Sequence, residues 1–316
     1  MKLKPLKLGN RTISVPIFQG GMAVRVSMAP LAAAVADCGG AGTIAGTGMS
    51  TQELKEEIRK ARSLTKGVIG VNVLFAIGNF ADLVKTAINE KIDFVVSGAG
   101  FSRDMFIWGK EAGVPIIPIV SSAKLAKISE KMGAAAVVVE GKEAGGHLGT
   151  DRSVKEILPE VRKVVKLPVI AAGGIVESKD IGEMLRLGAD GVQIATRFVL
   201  SEECTVSPKF KDHYLKAKKE DVILINSPVG LPGRALRSPF TEKLSREEKV
   251  DIEKCNKCLK VCSRDFCILD ALKKAREGDM ERGLIFSGKY VYKIKDILPV
   301  REIMKNLIEG LDSIRG

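Results

Sequence analysis

The sequence predicts an α/β fold: a (β/α)8 TIM barrel with an additional helical lid that carries a cysteine cluster. Eight short apolar runs recur about every 25 residues, with helical patterns between them, and four of the six cysteines fall within residues 255–267. A barrel of this kind takes about 250 residues, so a chain of 316 residues leaves room for a lid. The alternative is an open doubly wound sheet, but the count of eight favours a closed barrel.

The eight runs are apolar at successive positions, as expected for strands that are buried on both faces of a parallel sheet. In chain order they are VPIFQGG (15–21), GAGTIAG (40–46), GVIGVNVLF (67–75), FVVSGAG (94–100), VPIIPIV (114–120), AAVVVEG (135–141), LPVIAAGG (167–174) and GVQIATRF (191–198). They predict eight parallel strands.

Polar residues mark where several of the intervening helices begin. Ser50 precedes TQELKEEIRKARSL, and Glu53 follows three residues later, as in a capping box. Asn79 precedes FADLVKTAINE, and Ser178 precedes KDIGEMLRLG, whose last residue, Gly188, suits a helix end. We therefore expect Ser50, Asn79 and Ser178 to cap three barrel helices.

The regular alternation stops after Arg197, and a segment rich in Pro, Gly and charge follows. We predict a ligand-binding barrel over residues 1–204, a helical lid with the cysteine cluster over 205–283, and a C-terminal segment over 284–316. Residues 299–315 form an amphipathic pattern. This last helix is expected to pack back on the barrel as the helix after the eighth strand.

Composition narrows the class of protein. Hydrophobic residues make up 45% and charged residues 28% of the chain, as in globular proteins. No apolar run reaches the about 18 residues of a membrane span, and MKLKPLKLGNRTI at the start does not resemble a signal peptide. The net charge of +12 comes without a nucleic-acid motif and with only 5% aromatics. We expect a cytoplasmic protein with a solvated basic surface, no nucleic-acid partner and no membrane association.

Glycines and polar residues crowd the C-terminal ends of the predicted strands, where barrels of this type bind ligands. Glycine lets a ligand approach the backbone and leaves N–H groups free for a phosphate. The loops after strands seven and eight are the usual phosphate site. The sequence therefore predicts a phosphorylated cofactor bound by the amides of Gly173, Gly174, Ala195 and Thr196.

His147 stands in EGKEAGGHLG (140–149), directly after the sixth predicted strand, and is one of only two histidines. Histidine can abstract or donate a proton near neutral pH. Its position at the ligand face predicts a catalytic role. The alternative is a loop residue that only makes hydrogen bonds. His213, in KFKDHYLKAKK, is interpreted as a surface helix residue.

The ordered motifs PIFQGGM, GVNV, EGKEAGGHLG, VIAAGGI and GADGVQIATRF resemble the nitronate monooxygenase (2-nitropropane dioxygenase) and enoyl-acyl-carrier-protein reductase II family. The resemblance covers residues 10–204 and resumes at 278–300. It implies a flavin-dependent oxidoreductase, with FMN in the barrel and His147 as the catalytic histidine. The family's Gly-Thr-Arg-Phe begins here with Ala195, and Ser287-Gly288-Lys289 replaces an Ala-Gly-Gln stretch, which puts substrate or nicotinamide contacts there in doubt.

The resemblance also assigns residues to FMN by the part of the cofactor that they would contact. Those along the flavin ring are Gly20, Gly21 and Met22, with Asn72, Gly145 and Gly146 close by; those at the phosphate are Gly173, Gly174, Ala195 and Thr196, with Gln193 adjacent. The four phosphate positions agree with the site placed from strand order alone.

The cysteine cluster departs from this family. Cys255, Cys258, Cys262 and Cys267 follow the pattern C-x2-C-x3-C-x4-C, and four thiolates in so short a span can hold a cubane cluster or a zinc ion. The C-x2-C-x3-C part resembles the iron–sulfur loop of flavin-barrel reductases related to 2,4-dienoyl-CoA reductase. We predict that all four ligate one [4Fe–4S] cluster. Zinc and unligated thiols are the alternatives.

Three functions follow. In the first, an alkyl nitronate is oxidised, with His147 assisting proton transfer and oxygen completing turnover. In the second, NAD(P)H is the co-substrate for reduction of an enoyl thioester on acyl carrier protein. The third is a non-catalytic flavin and iron–sulfur electron-transfer module. The EAGGH motif favours the nitronate. The expected partners are a small-molecule or thioester substrate and, for the second function, acyl carrier protein; a homodimer is left open.

Overall fold

The computed structural model describes residues 3–248, 250–252 and 255–312. The chain begins with an antiparallel hairpin of β1 (Leu6–Leu8) and β2 (Arg11–Ile13). Leu6, Leu8 and Ile13 are buried against the residues that fill the barrel interior, so the hairpin closes one end of the barrel. The sequence patterns did not predict this hairpin.

A closed barrel of eight parallel strands follows. The barrel strands are β3 (Ile17–Gln19), β4 (Ala41–Ala45), β5 (Val68–Leu74), β6 (Phe94–Gly98), β7 (Ile116–Val120), β8 (Val137–Glu140), β10 (Val169–Ala172) and β11 (Gly191–Ile194); the two-residue β9 (Gly146–His147) lies outside the barrel, in the loop after β8. Each predicted run contains one of these strands. The predicted eight-stranded parallel barrel is therefore confirmed, and the open sheet is excluded.

Helices follow the barrel strands on the outside. They are α1 (Ala29–Asp37), α2 (Thr51–Leu64), α3 (Phe80–Asn89), α4 (Arg103–Ala112), α5 (Ala123–Lys131), α6 (Val154–Val164), α7 (Ser178–Arg186) and the short α8 (Thr196–Val199). Apolar residues of the strands alternate between the barrel interior, where Phe18 meets Phe94 edge to face, and the layer beneath the helices. This is the pattern of a barrel with a filled core.

The helix ends agree only partly with the sequence. Ser50 caps α2, because its side chain accepts the Glu53 amide, and Gly188 follows α7 with a left-handed φ of +101°. Asn79 precedes α3 but makes no cap; its side chain instead donates to the Met49 carbonyl at 3.2 Å. Ser178 is already helical, and Glu177 occupies the N-cap position of α7. The predictions for Asn79 and Ser178 as capping residues are wrong.

The lid contains both helices and strands. Its elements are α9 (Pro208–Lys216), β12 (Val222–Asn226), β13 (Pro232–Leu236), α10 (Pro239–Ser245) and α11 (Ile268–Glu277). The β12–β13 hairpin pairs with β9, matching Gly233 with His147 and Arg234 with Gly146. The sequence predicts a helical lid; the structure adds this hairpin, which joins the lid directly to the histidine loop.

The last helix, α12 (Val300–Asp312), packs between α7 and α1. Its buried residues Val300, Ile303, Met304 and Leu307 belong to the same core as these two helices. It occupies the place of the helix after the eighth strand, as the sequence predicts; the predicted extension to residue 315 lies outside the described residues. No helix in the described part of the chain is both long and apolar enough to cross a membrane.

Candidate functional site

A cavity of about 240 Å³ opens at the mouth of the barrel, where the C-terminal ends of the strands meet the lid. The predicted catalytic and cofactor-binding residues all line it; they are Gly20, Gly21, Met22, Asn72, Gly145, Gly146, His147, Gly173, Gly174, Gln193, Ala195 and Thr196. Their separations along the chain reach well over a hundred residues. The barrel topology brings them together, because parallel strands end at one edge.

The loop after β3 passes close to β5 at Gly21 and Asn72. A Cβ atom on Gly21 would lie 2.3 Å from the Cβ of Asn72, which is too close for any side chain. Beneath this loop, the side-chain oxygen of the buried Gln19 accepts the Thr43 amide at 3.0 Å. The loop therefore has its backbone, rather than a side chain, next to the cavity. A flat ligand can approach it closely.

The loops after β10 and β11 form the phosphate side of the cavity. Gly173 and Gly174 have left-handed φ values of +100° and +74°, and their amides donate to no group among the residues that the structure describes. Thr196 begins α8, so its amide has no acceptor within that helix. Converging free amides of this kind suit an anion.

His147 is held by the lid. Its Nε2 lies 2.8 Å from the hydroxyl oxygen of Ser227, in the loop between β12 and β13, and the two share a hydrogen bond. The ring of Phe286 packs edge to face on the imidazole, with 5.1 Å between ring centroids. Burial lowers the pKa of His147 to about 4, so its ring is uncharged at neutral pH. The sequence predicted His147 but missed Ser227.

Two carboxyl groups also line the cavity. Glu143 is buried, and its side chain accepts the Val154 amide at 3.1 Å. No described residue donates a hydrogen bond to the side chain of Glu140, at the end of β8. Burial raises the pKa of Glu140 to about 8, so this carboxyl is protonated at neutral pH. The sequence analysis quoted Glu140 within the histidine motif but gave it no role.

The C-terminal segment 286–289 bridges the two sides of the cavity. The Gly288 amide donates to the Thr196 hydroxyl at 3.0 Å, and the Lys289 amide donates to the Glu143 carbonyl at 3.0 Å. Gly145 has no room for a side chain, because a Cβ there would lie 2.6 Å from the Ser287 carbonyl carbon. Ser287, Gly288 and Lys289, where the sequence predicts a departure from the family pattern, are therefore part of the cavity wall.

The cysteine segment borders the cavity. Leu259 bridges Ile77 of the loop after β5, and the Gly78 amide donates to the Cys258 carbonyl at 2.9 Å. The ammonium group of Lys260 donates to the Phe75 carbonyl at 2.7 Å and lies over the Phe75 ring. These contacts fix the backbone of the segment on the barrel mouth.

The four thiols do not form the predicted metal centre. Cys255 and Cys262 are exposed, Cys258 and Cys267 are half-buried, and the described residues contain no group of three or more His, Cys, Asp or Glu side chains placed to hold a metal ion. Burial, and then the neighbouring thiols Cys267, Cys262 and Cys255, raise the pKa of Cys258, so the four cysteines share one part of the lid. The described residues do not support the predicted [4Fe–4S] cluster, because they contain no side-chain group placed to hold a metal.

The chain is similar in sequence and in structure to known proteins. The sequence profile of the nitronate monooxygenase family matches residues 4–310. A probable nitronate monooxygenase from Staphylococcus aureus is 28% identical, over 96% of both chains. FabK from Thermotoga maritima has a solved structure that is 35% identical and covers 95% of this chain and 93% of its own, with a TM-score of 0.86.

A third relative matches over a shorter region. The (3aS,4S,5R,7aS)-5-hydroxy-7a-methyl-1-oxo-octahydro-1H-indene-4-carboxyl-CoA dehydrogenase from Mycobacterium tuberculosis is 34% identical over 73% of this chain. The match spans 66% of that relative's length.

Proposed function

The chain belongs to the nitronate monooxygenase family and is a flavin-dependent oxidoreductase, and on that premise we propose that it binds FMN and reduces an enoyl thioester with NAD(P)H. The observation that carries this choice of substrate is the charge of the cavity. Lys289 is the only Lys or Arg side chain that lines it among the described residues, and of the two carboxyl groups in the wall Glu140 is neutral at neutral pH. A wall without an excess of positive charge favours a neutral thioester over an anionic nitronate.

The residues at the barrel mouth suit FMN. Gly20, Gly21 and Met22 would present backbone to the flavin ring, and Asn72 lies against Gly21. Gly145 and Gly146 would border the ring, and Gln193 lies beside the phosphate loops. The free amides of Gly173 and Gly174, with those of Ala195 and Thr196, would hold the phosphate. When bound, FMN supplies hydride transfer between NAD(P)H and the substrate.

His147 serves this reaction as a neutral group. An imidazole with a pKa of about 4 is a weak acid donor at neutral pH, but its N–H can polarise a thioester carbonyl by hydrogen bonding. The hydrogen bond to Ser227 fixes the ring, so little reorganisation is needed when charge develops on the carbonyl oxygen. His147 is the proposed catalytic residue, and Ser227 is a positioning residue.

The nitronate reaction is the second candidate. The family profile, the 28% identical relative over 96% of both chains, and the EAGGH sequence favour it. In that reaction the neutral His147 assists proton transfer, and oxygen completes turnover. The electron-transfer module would need no catalytic histidine, so the place of His147 in the cavity wall argues against it.

Flavin reduction and reoxidation separate the two candidates. Purified FMN-loaded protein is reduced anaerobically with NADPH or NADH, and the return of flavin absorbance is followed after mixing with an enoyl thioester of pantetheine. Ethyl nitronate with the oxidised protein is the comparison. We expect kcat/KM to be about tenfold or more higher for the thioester, a difference of ~1.4 kcal/mol in the barrier. Rapid flavin reduction by ethyl nitronate without enoyl turnover would establish the nitronate reaction instead.

A further inference from the structure

A second cavity, of about 920 Å³, lies between the lid and the barrel. We call it the lid cleft; its lining includes Ser50 and Asn79 at the barrel, Lys243 of α10, Lys257 of the cysteine segment and Lys273 of α11. The side chains of Ile77 and Leu269 line both this cleft and the flavin cavity. The two spaces are therefore neighbours that share an apolar boundary.

The lid cleft has the opposite charge balance from the flavin cavity. Its lining includes six cationic and three acidic side chains; the cations are Arg25, Lys243, Lys257, Lys273, Lys274 and Arg282. Three of these cations have carboxylate partners: Arg25 pairs with Glu53, Lys274 with Asp270 and Arg282 with Asp279. Lys243, Lys257 and Lys273 make no ion pair with any described residue.

The lid presents these three unpaired lysines on three different elements, around one cavity. The remaining carboxylates of the lining, Asp251 and Glu281, are fewer than the free ammonium groups. Exposed lysines scattered over a surface need no ligand, but their convergence on a cavity that adjoins the flavin site calls for an anion. The anion must also belong to a molecule whose other end reaches the barrel mouth.

We propose that the lid cleft binds the phosphate-bearing nucleotide end of a coenzyme A thioester while the acyl group lies at the flavin. This rests on the proposed thioester function and names its carrier. Coenzyme A has a pyrophosphate and a ribose phosphate at one end, a thioester at the other, and a flexible, mostly uncharged arm between them. Apolar Ile77 and Leu269 suit the arm, and Lys243, Lys257 and Lys273 suit the phosphates.

Steady-state kinetics on the full-length FMN-loaded protein tests this assignment. The triple variant Lys243→Gln, Lys257→Gln, Lys273→Gln is compared with a control triple variant on an outer barrel helix, Lys124→Gln, Lys127→Gln, Lys131→Gln, which removes the same charge. We expect KM for an enoyl-CoA to rise about tenfold or more in the cleft variant, since each lysine attracts phosphate at close range. The KM for the same acyl group on pantetheine, and kcat for both, should stay within about twofold.

Direct binding makes the result independent of turnover. Fluorescence titration with etheno-CoA, in competition with adenosine 3′,5′-bisphosphate, should show tight binding to the natural protein and the control, and binding about tenfold weaker to the cleft variant. If etheno-CoA binding depends on the cleft lysines but the protein does not reduce enoyl thioesters, the assignment of the cleft stands and the proposed function is refuted.

Other outcomes overturn the cleft assignment. If the protein turns over the pantetheine thioester but both variants bind etheno-CoA equally, the proposed function is supported and the assignment of the cleft is refuted. Competition by adenosine 2′,5′-bisphosphate, together with a raised KM for NADPH alone, would assign the lysines to the nicotinamide nucleotide. A raised KM for acyl carrier protein thioesters without competition by either nucleotide would make the cleft a protein-docking surface.

Discussion

The barrel mouth and the lid build one site from different materials. At the mouth, Gly21, Gly173 and Gly174 offer close approach and free backbone amides, and the closed barrel fixes their positions. The lid contributes side chains: Ser227 holds His147, and the lysines of α10 and α11 surround the cleft. This difference implies a division of labour, in which the barrel binds the cofactor and the lid adjusts chemistry and substrate choice.

The largest effect is expected where the two regions meet. His147→Ala removes the group that both the β8 loop and the lid position, and should lower kcat by about a hundredfold or more, as for loss of a general acid–base or polarising group. FMN content, measured by absorbance after denaturation, should be unchanged. His213→Ala, on the exposed face of α9, is the matched control. Near-normal turnover of His147→Ala would return this residue to a structural role.

A substitution on the barrel side should instead empty the flavin site. Gly21→Ala forces a Cβ atom to within 2.3 Å of Asn72, and relief of such overpacking costs about 1–3 kcal/mol. We expect FMN to bind roughly tenfold or more weakly, with activity restored by excess FMN. Gly78→Ala, where the nearest atom is 3.8 Å from the added carbon, is the control. Full flavin content with lost turnover would contradict the division between barrel and lid.

A lid substitution should preserve flavin and slow the reaction. Ser227→Ala removes the hydrogen bond to Nε2 of His147, worth about 1–1.5 kcal/mol, so kcat should fall roughly tenfold. Ser227→Thr retains a hydroxyl and should recover most of the rate, whereas Ser245→Ala on α10 should have no effect. A purely structural Ser227 would lower the midpoint of thermal unfolding in both Ser227 variants without this selective rescue.

A smaller effect is expected at Glu140, on the barrel side. Its pKa of about 8 lies above the ordinary value, so the carboxyl is neutral below pH 8 and becomes charged above it. A negative charge beside the flavin opposes flavin reduction, so kcat/KM should fall by about threefold as pH rises through 8. Glu140→Gln should abolish this fall of kcat/KM above pH 8, and the control Glu111→Gln on α4 should retain it. If Glu140→Gln shows the same fall, another group titrates there.

The two regions also differ in how far the sequence foretold them. The barrel strands were predictable because each is a local apolar run. The strand-end glycines lie together because all strands of the parallel barrel end on the same side. The β12–β13 hairpin was hidden in a Pro- and Gly-rich stretch that is typical of loops. The contact of Ser227 with His147 spans 80 residues and depends on pairing of that hairpin with β9, which no local pattern encodes.

Glu140 was missed for a different reason. Its residue type and its position after a strand were visible, but the pKa shift arises only from burial within the assembled barrel mouth. The cysteine pattern failed in the opposite direction: its spacing permits a metal centre, but the described residues contain no group of side chains placed to hold a metal ion. Spacing limits which ligands can meet, whereas tertiary contacts decide whether they do.

The smallest effects are expected at the exposed cysteines, which test the lid most directly. Cys255→Ala and Cys262→Ala remove exposed thiols that contribute to no ligand group among the described residues. Each variant should keep FMN content and turnover, and unfolding free energy should change by less than about 0.5 kcal/mol, as for other surface substitutions. Cys258→Ala should lower the free energy of unfolding by more, because that half-buried thiol lies beside the lid cleft.

The decisive measurement is iron and acid-labile sulfide per chain after anaerobic reconstitution. Stoichiometric iron and sulfide in the natural protein, and their loss in both exposed-cysteine variants, would restore the iron–sulfur prediction. If those variants also lose the protection of the lid from proteolysis, the order of the lid depends on the metal.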